Sequence, residues 1–215
     1  MAVLAEFETV ARRCSTGRQA SDSRNRASKA ACRWNIAFVS ADQCAGSAIE
    51  RLPGGELGQL LWAAQGITAA DGKRAVSSAG ALYLLELYAV CGNVGTLTSG
   101  VYRYHPAHHE LLLIAAGYQR EKLVDAARGQ EWIATAPAVI CIAAVFERTT
   151  AKYGNRGRGY VCMEAGHAAE SLMLQAVALG LATTMVGAFS DDEVRHLLHL
   201  AQDEDPLCLL PVGVP

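Results

Sequence analysis

Two histidine clusters are the residues of this sequence with the clearest capacity to bind a metal. One cluster is His105, His108 and His109, and the other is His196 and His199. A tetrahedral zinc site takes its ligands from Cys, His, Asp and Glu side chains. We judge that neither cluster has the carboxylate or thiolate company that such a site needs, so the sequence predicts no metal site.

The seven cysteines could in principle form disulfides or a zinc ribbon. They are odd in number and never occur in a C-x-x-C spacing, which argues against both possibilities. Free cysteine is among the most often buried residue types. We therefore expect Cys91, Cys141 and Cys162 to be small buried hydrophobes.

Motifs for phosphate binding and for nucleophilic catalysis decide several enzyme classes at once. The chain has no G-x-x-x-x-G-K-[ST] and no G-x-S-x-G motif, which disfavours NTPases and α/β-hydrolases. Gly154, Gly157 and Gly159 lack the G-x-G-x-x-G spacing of a dinucleotide-binding Rossmann site.

Hydrophobic periodicity predicts the elements that must position any site. Apolar residues at helical spacing indicate helices, and apolar or alternating runs rich in Val, Ile and Tyr indicate strands. The run 160–179 is apolar almost all round and predicts a central helix buried on every side. Helices are predicted at 56–66, 119–128, 160–179 and 191–200; strands at 87–90 (the end of the run 82–90), 137–146 and 207–214; and a β-hairpin at 101–114. Without a strict βαβ repeat, the fold class is α+β.

Composition bounds the class of protein. The 215 residues are 51% hydrophobic and 19% charged, with a net charge of −2, which is typical of a globular protein with one substantial core. This charge gives no attraction to nucleic acid or to a membrane, and we expect neither partner. Because Met1–Val10 has no basic segment followed by an apolar one, we expect a cytoplasmic protein.

The first 55 residues differ from the rest of the chain. The stretch 11–33 carries seven basic residues against one acidic residue, and its polar residues follow no helical or strand period. We expect residues 1–55 to be an atypical, poorly ordered segment and residues 56–215 to form the globular domain. A nucleic-acid-binding arm at 11–33 is a distant alternative that rests on charge alone.

Six runs in register give the sequence a specific resemblance. They are LGQLLWAAQGIT (57–68), SSAGALYLLELYAV (77–90), GVYRYHPAHHEL (100–111), RTTAKYGNRGRGYVCMEAGHAAESLMLQAVALGL (148–181), VGAF (186–189) and LLPVGVP (209–215). In their order and spacing they resemble the SagB-type dehydrogenase branch of the nitroreductase family. This branch includes flavin-dependent dehydrogenases that oxidise azolines to thiazoles and oxazoles in modified peptides.

The resemblance implies a fold, an assembly and a cofactor. The expected fold is the α+β nitroreductase-like fold, a mixed or antiparallel sheet with flanking helices and a long central helix. The expected assembly is a homodimer with FMN at each end of its interface. The implied activity is hydride transfer between bound flavin and a small-molecule or peptide-derived substrate, or NAD(P)H.

The resemblance also assigns roles to residues. Ser77, Ser78, Ala79, Gly80 and Ala81 match the family's P-S-A-G-A run beside the flavin, although such a composition also suits a plain turn before a helix.

A second loop and a pair of ionisable residues match as well. Met185, Val186, Gly187 and Ala188 match the loop whose backbone N–H groups face the flavin ring. Lys152 and Tyr153 match the pair that azoline dehydrogenases are thought to use to remove a proton, which a desolvated Lys or a Tyr can do. The alternative for this pair is a solvated position in a loop rich in Gly and Arg. That solvated role is the one expected for Arg148, Arg156 and Arg158.

The sequence departs from the family at several positions. Ser77, Leu84 and Met185 each replace a common Pro, and Ser171 replaces a frequent Asn. More seriously, the R-R-S-x-R-x-F run whose arginines bind the flavin phosphate is missing from its usual place. Each lost charge-assisted hydrogen bond would cost about 1.5–3 kcal/mol. A flavin-poor, inactive dimeric relative is therefore the alternative function.

A shifted reading frame is our hypothesis for the missing run. When residues 27–50 are back-translated and read two nucleotides later, permitted codons spell R-R-S-M-R-R-F near residues 40–47. The hypothesis is a frame error across roughly the first 52 residues, and the nucleotide sequence decides it.

Overall fold

A six-stranded antiparallel sheet forms the centre of the molecule. The structure is a computed structural model and describes residues 50–117 and 119–214. The strands are β1 (Leu85–Cys91), β2 (Gly100–His105), β3 (Glu110–Ala116), β4 (Ala138–Ala144), β5 (Ala182–Thr183) and β6 (Asp205–Gly213). Their order is β3-β2-β1-β4-β6-β5, and every pairing is antiparallel.

In residues 50–117 and 119–214, six α-helices cover the two faces of this sheet. They are α1 (Gly54–Gln65), α2 (Arg120–Ala126), α3 (Trp132–Thr135), α4 (Phe146–Tyr153), α5 (Arg156–Leu179) and α6 (Asp191–Leu198). The α+β class and the nitroreductase-like arrangement expected from the sequence are confirmed. No helix in the described part of the chain is both long and apolar enough to cross a bilayer.

The apolar run at 137–146 forms the innermost strand. All seven residues of β4 are buried, with β1 on one side and β6 on the other. A strand covered on both faces needs apolar side chains at every position, which explains its unbroken run of Ala, Val, Ile and Cys. The predicted hairpin is also present, with β3 as an exposed edge strand.

Alternation along the strands divides the core into two layers. Leu87 and Ala89 on β1 face a layer that contains α1 and α5, whereas Tyr88 and Val90 face a layer that contains α2, α3 and α6. The two layers share only the sheet between them, because successive side chains of a strand point to opposite faces.

Helix α5 corrects one expectation. It starts four residues earlier than predicted, and within one chain only one side of it is buried. Gly157 permits the early start, because a Cβ there would lie 3.0 Å from the Thr149 carbonyl oxygen. Met163 is 54% exposed and Leu174 is 37% exposed on the other side. Cys162 shares that side and is exposed, so its predicted burial was wrong, while Cys91 and Cys141 are buried as expected.

The described chain is already packed before Glu56. Leu52 is fully buried, and its N–H donates to the Asn93 carbonyl oxygen at 3.0 Å. The expectation for the rest of the segment 1–55, including the shifted frame, lies outside the described residues.

Candidate functional site

The SSAGA turn, Ser77–Ala81, leads from the first layer of the core into β1. Gly80, Ala81 and Tyr83 have left-handed backbone, with φ of 65°, 54° and 48°. Such a conformation costs a residue other than glycine about 1–2 kcal/mol, so the surroundings must stabilise it. The Ser78 hydroxyl accepts the Tyr83 N–H at 2.8 Å and closes the turn.

The turn presents small side chains to the surface. Ser77, Gly80 and Ala81 are exposed, whereas Ser78 and Ala79 are half-buried. Backbone that is accessible and free of bulky side chains can be approached closely by a flat aromatic ring. The part of the predicted flavin site that lies in this turn therefore fits a flavin.

Lys152 and Tyr153 lie against this turn. They occupy the last turn of α4, which ends at Gly154 with a φ of 57°. A Cβ added to Gly80 would lie 2.6 Å from the Tyr153 hydroxyl oxygen and 2.9 Å from Lys152 Nζ. The structure thus brings together two predicted groups from distant parts of the sequence.

The alternative expectation for this pair, a solvated position in a loop, is wrong about the secondary structure. Lys152 and Tyr153 are helical, and Tyr153 is half-buried with its ring edge-on to Tyr160 at 5.2 Å between centroids. Lys152 is exposed, with Nζ 5.4 Å from the centroid of the Tyr153 ring. A lysine and a phenol held at one backbone position can exchange a proton with a bound molecule.

Glu164 is a buried acid beside the SSAGA turn. It is 2% exposed, and neither carboxylate oxygen makes a hydrogen bond of normal geometry within the described residues. Burial raises the pKa of Glu164, an effect that the Ser78 hydroxyl, the Ala79 N–H and the charge of Arg74 partly oppose. A carboxyl group in this setting tends to hold its proton.

Two arginines surround the same turn. Arg148 donates to the Tyr83 carbonyl oxygen at 3.0 Å and forms an ion pair with Glu86 at 2.8 Å. Arg74 donates to Gln65 Oε1 at 2.7 Å, and its guanidinium lies 4.6 Å from the centroid of the Tyr83 ring.

Arg148 is exposed, as expected of a solvated arginine, but it lies in α4 and not in a loop, and it is ion-paired with Glu86. Arg156 and Arg158 are exposed, but they lie in the first turn of α5 over the rings of Tyr160 and Phe146. Most cations near the turn are therefore already engaged by protein groups, and Lys152 beside it is exposed.

The MVGA loop, Met185–Ala188, has a different environment. The Val186 N–H donates to the Leu209 carbonyl oxygen at 2.8 Å, so it is not available to a flavin. Met185, Gly187 and Ala188 are exposed. A Cβ added to Gly187 would meet nothing within 4 Å. Of the backbone N–H groups in this loop, those of its exposed residues therefore remain the candidate donors to a flavin ring.

The SSAGA turn and the MVGA loop adjoin different layers of the core. Val76, directly before the turn, belongs to the layer with α1 and α5, and Val186 belongs to the layer with α2, α3 and α6. Side chains at the two predicted flavin-binding segments therefore pack on opposite faces of the sheet.

Sequence reasoning missed Glu164 and Arg74. Glu164 could have been found from its spacing, because it falls between Val161 and Ala168 on the buried stripe of α5. An ionisable residue on an apolar helix face is a sign of function or of a specific partner. Arg74 gave no comparable signal, since its neighbours come from tertiary contacts.

Comparison with known proteins agrees with the fold. The model of the Nitroreductase family matches residues 49–214. A nitroreductase homologue of Methanocaldococcus jannaschii is 46% identical over 158 residues, which are 74% of this chain and 79% of the relative.

Solved structures give the same architecture. A nitroreductase homologue of Anabaena variabilis aligns with a TM-score of 0.69 and 31% identity, covering 78% of this chain but only 35% of the Anabaena chain. The E. coli microcin synthetase McbBCD complex with truncated pro-MccB17 bound aligns at 0.68 and 20% identity, covering 93% of this chain and 76% of the other. The NADPH:FMN oxidoreductase of Vibrio harveyi complexed with NAD+ aligns at 0.55 and 15% identity, covering 78% and 62%.

The last two likenesses show the fold alone, because their identities are low. The family match over most of the chain and the 46% identical relative carry more weight, and by them this chain belongs to the nitroreductase family.

Proposed function

We propose that this protein is an FMN-dependent oxidoreductase of the SagB type, which transfers hydride between bound flavin and a small-molecule or peptide-derived substrate. The observation that carries the proposal is the contact of Lys152 and Tyr153 with Gly80 in the SSAGA turn. A group that removes protons and a surface that suits a flat ring meet at one place.

Flavin, when bound, supplies the acceptor for the hydride. The chain supplies the proton transfer: oxidation of a C–H bond next to a C–N bond also releases a proton, which Lys152 or Tyr153 accepts at Nζ or at the phenolic oxygen. NAD(P)H is an alternative hydride donor for the same flavin.

The proposal includes a homodimer. Side chains at the SSAGA turn and at the MVGA loop pack on opposite faces of the sheet, and a second copy would bring one of each to the same ring. The exposed side of α5, which includes Met163 and Leu174, is the proposed interface. Light scattering should give twice the mass of the chain at micromolar concentration; a monomer would contradict the assembly.

A flavin-poor relative without redox activity is the second candidate. It is favoured by the engagement of Arg74 and Arg148 with protein partners, which leaves few described cations for a phosphate.

Titration of the purified full chain with FMN and with riboflavin separates the two candidates. If the first is correct, the chain retains FMN with the yellow absorbance of a flavoprotein at near-stoichiometric content. FMN should then bind at least about tenfold more tightly than riboflavin, because a single charge-assisted hydrogen bond to the phosphate is worth this much. Absence of retained FMN supports the second candidate and overturns the first.

A further inference from the structure

The turn of the β2–β3 hairpin carries three histidines and a glutamate within six residues. Its strands pair His105 with Glu110, so both side chains lie on the same face of the hairpin. Tyr104, one residue earlier, is buried on the opposite face. The antiparallel register thus places an imidazole and a carboxylate side by side.

His108 joins this pair from the turn. Its ring stacks on that of His105, with centroids 5.0 Å apart and an angle of 15° between the planes. His105 Nδ1 lies 3.9 Å from Glu110 Oε1. One ligand atom from each of His105, His108 and Glu110 lies within 4.8 Å of the other two.

His109 takes a different direction. Its Nδ1 lies 2.8 Å from the Tyr104 hydroxyl, and the two rings meet edge to face. The left-handed backbone of His109, with a φ of 50°, turns the chain at this point. The hairpin therefore places His105 and His108 beside the Glu110 carboxylate and His109 beside the Tyr104 hydroxyl.

The three converging side chains match the preferences of one class of ion. Two imidazoles and one carboxylate are the ligand set of borderline divalent metals, and Zn²⁺ takes such ligands at about 2.0–2.2 Å. Tetrahedral binding at that length separates ligand atoms by about 3.3 Å, and the three atoms, which lie within 4.8 Å of one another, reach this separation by side-chain rotation. All three residues are exposed, which leaves them free to rotate and leaves the remaining positions to water.

We propose that His105, His108 and Glu110 form a surface site for a divalent transition-metal ion of the zinc type. This differs from the expectation drawn from the sequence, because Glu110, paired with His105 across the hairpin, supplies a carboxylate. The site is separate from the SSAGA turn and does not depend on the proposed redox function. A bound ion would fasten the turn to both strands and stabilise the hairpin.

Zn²⁺ titration of the full chain against a chromogenic chelator tests the site. We expect one Zn²⁺ per chain, at least about 100-fold weaker binding in His105→Ala/His108→Ala, and about 10-fold weaker binding in Glu110→Gln, since each lost ligand removes a metal bond. Circular dichroism checks that each variant folds, which is expected of substitutions in an exposed turn.

Two matched controls locate the ion. His196→Ala/His199→Ala removes the other histidine pair, and Cys162→Ser removes the exposed thiol. Both should bind Zn²⁺ as the parent chain does, and the parent should show a rise in Tm with Zn²⁺ that His105→Ala/His108→Ala lacks. Unchanged Zn²⁺ affinity in His105→Ala/His108→Ala, or its loss in either control, would overturn the proposal.

Discussion

The SSAGA turn and the MVGA loop differ in how their own chain holds them. The turn is closed by the Ser78 hydroxyl, is supported by Arg148 through Tyr83 and faces the buried Glu164. The loop is attached by the pairing of Val186 with Leu209 and by Gln130, whose side-chain amide donates to the Ala188 carbonyl oxygen at 3.0 Å. One region is preorganised and the other is open.

This difference indicates where each part of the site obtains its precision. Groups that move protons must be held at fixed distances, and the turn has its partners within the chain. A loop that only contacts the flavin ring can take up its binding conformation when the ring and the surface that covers the loop are present. Substitutions should therefore act on chemistry and stability at the turn, but on cofactor retention at the loop.

The largest effect is expected at Lys152 and Tyr153. In a chain that binds FMN, Lys152→Ala and Tyr153→Phe should retain the flavin but slow substrate dehydrogenation by roughly 10²–10⁴-fold, because a missing general base costs this much. Flavin reduction by NAD(P)H, which needs no such base, should change little. The matched control is Lys73→Ala, since Lys73 is exposed and paired only with Asp71. Unchanged dehydrogenation in both variants would return the pair to a solvated, noncatalytic role.

Two glycine substitutions should separate retention from stability. Gly187→Val should abolish FMN binding and leave the free energy of unfolding nearly unchanged, because the space around Gly187 is open in the folded chain.

Gly80→Ala should lower the free energy of unfolding by about 1–3 kcal/mol, since it combines left-handed backbone with overlap of the new Cβ with Tyr153 and Lys152. Urea unfolding and flavin absorbance measure the two effects. Full flavin content in Gly187→Val would show that the ring lies elsewhere.

The smallest effect is expected for Glu164→Gln, which should change how the free energy of unfolding depends on pH. Because burial raises the pKa of Glu164, the folded state binds this proton more tightly than the unfolded state does. The stability of the parent chain should therefore fall, relative to that of the variant, as the pH rises from the ordinary value of 4.5 through the raised pKa. Urea unfolding at a series of pH values measures this difference. A gap that stays constant with pH would mean that folding does not shift the pKa of Glu164.

Much of the fold could be predicted because its signals are local. The unbroken apolar run of β4, the acidic first turn of α6 and the glycine that ends α5 each act within a few residues. The prediction for Cys162 failed because it used the residue type alone. The average burial of cysteine takes no account of which side of α5 faces the core.

The candidate site was predictable in part. Resemblance named the SSAGA turn and the pair Lys152 and Tyr153, and the structure shows that they meet. It also named the MVGA loop, but could not show that the Val186 N–H is already bonded to Leu209. The flavin assignment itself and the homodimer remain predictions.

The sequence by itself determined the elements, the α+β class and the residues whose types could do chemistry, because periodicity and turn composition are properties of short segments. Tertiary structure alone decided which of those residues meet. Packing between elements buries Glu164 and brings Gly80 against Tyr153. It also places the side chains at the turn and at the loop on opposite faces of the sheet. The register of two strands pairs His105 with Glu110. Such contacts follow from which face of a strand or helix is covered, and only the assembled core fixes that choice.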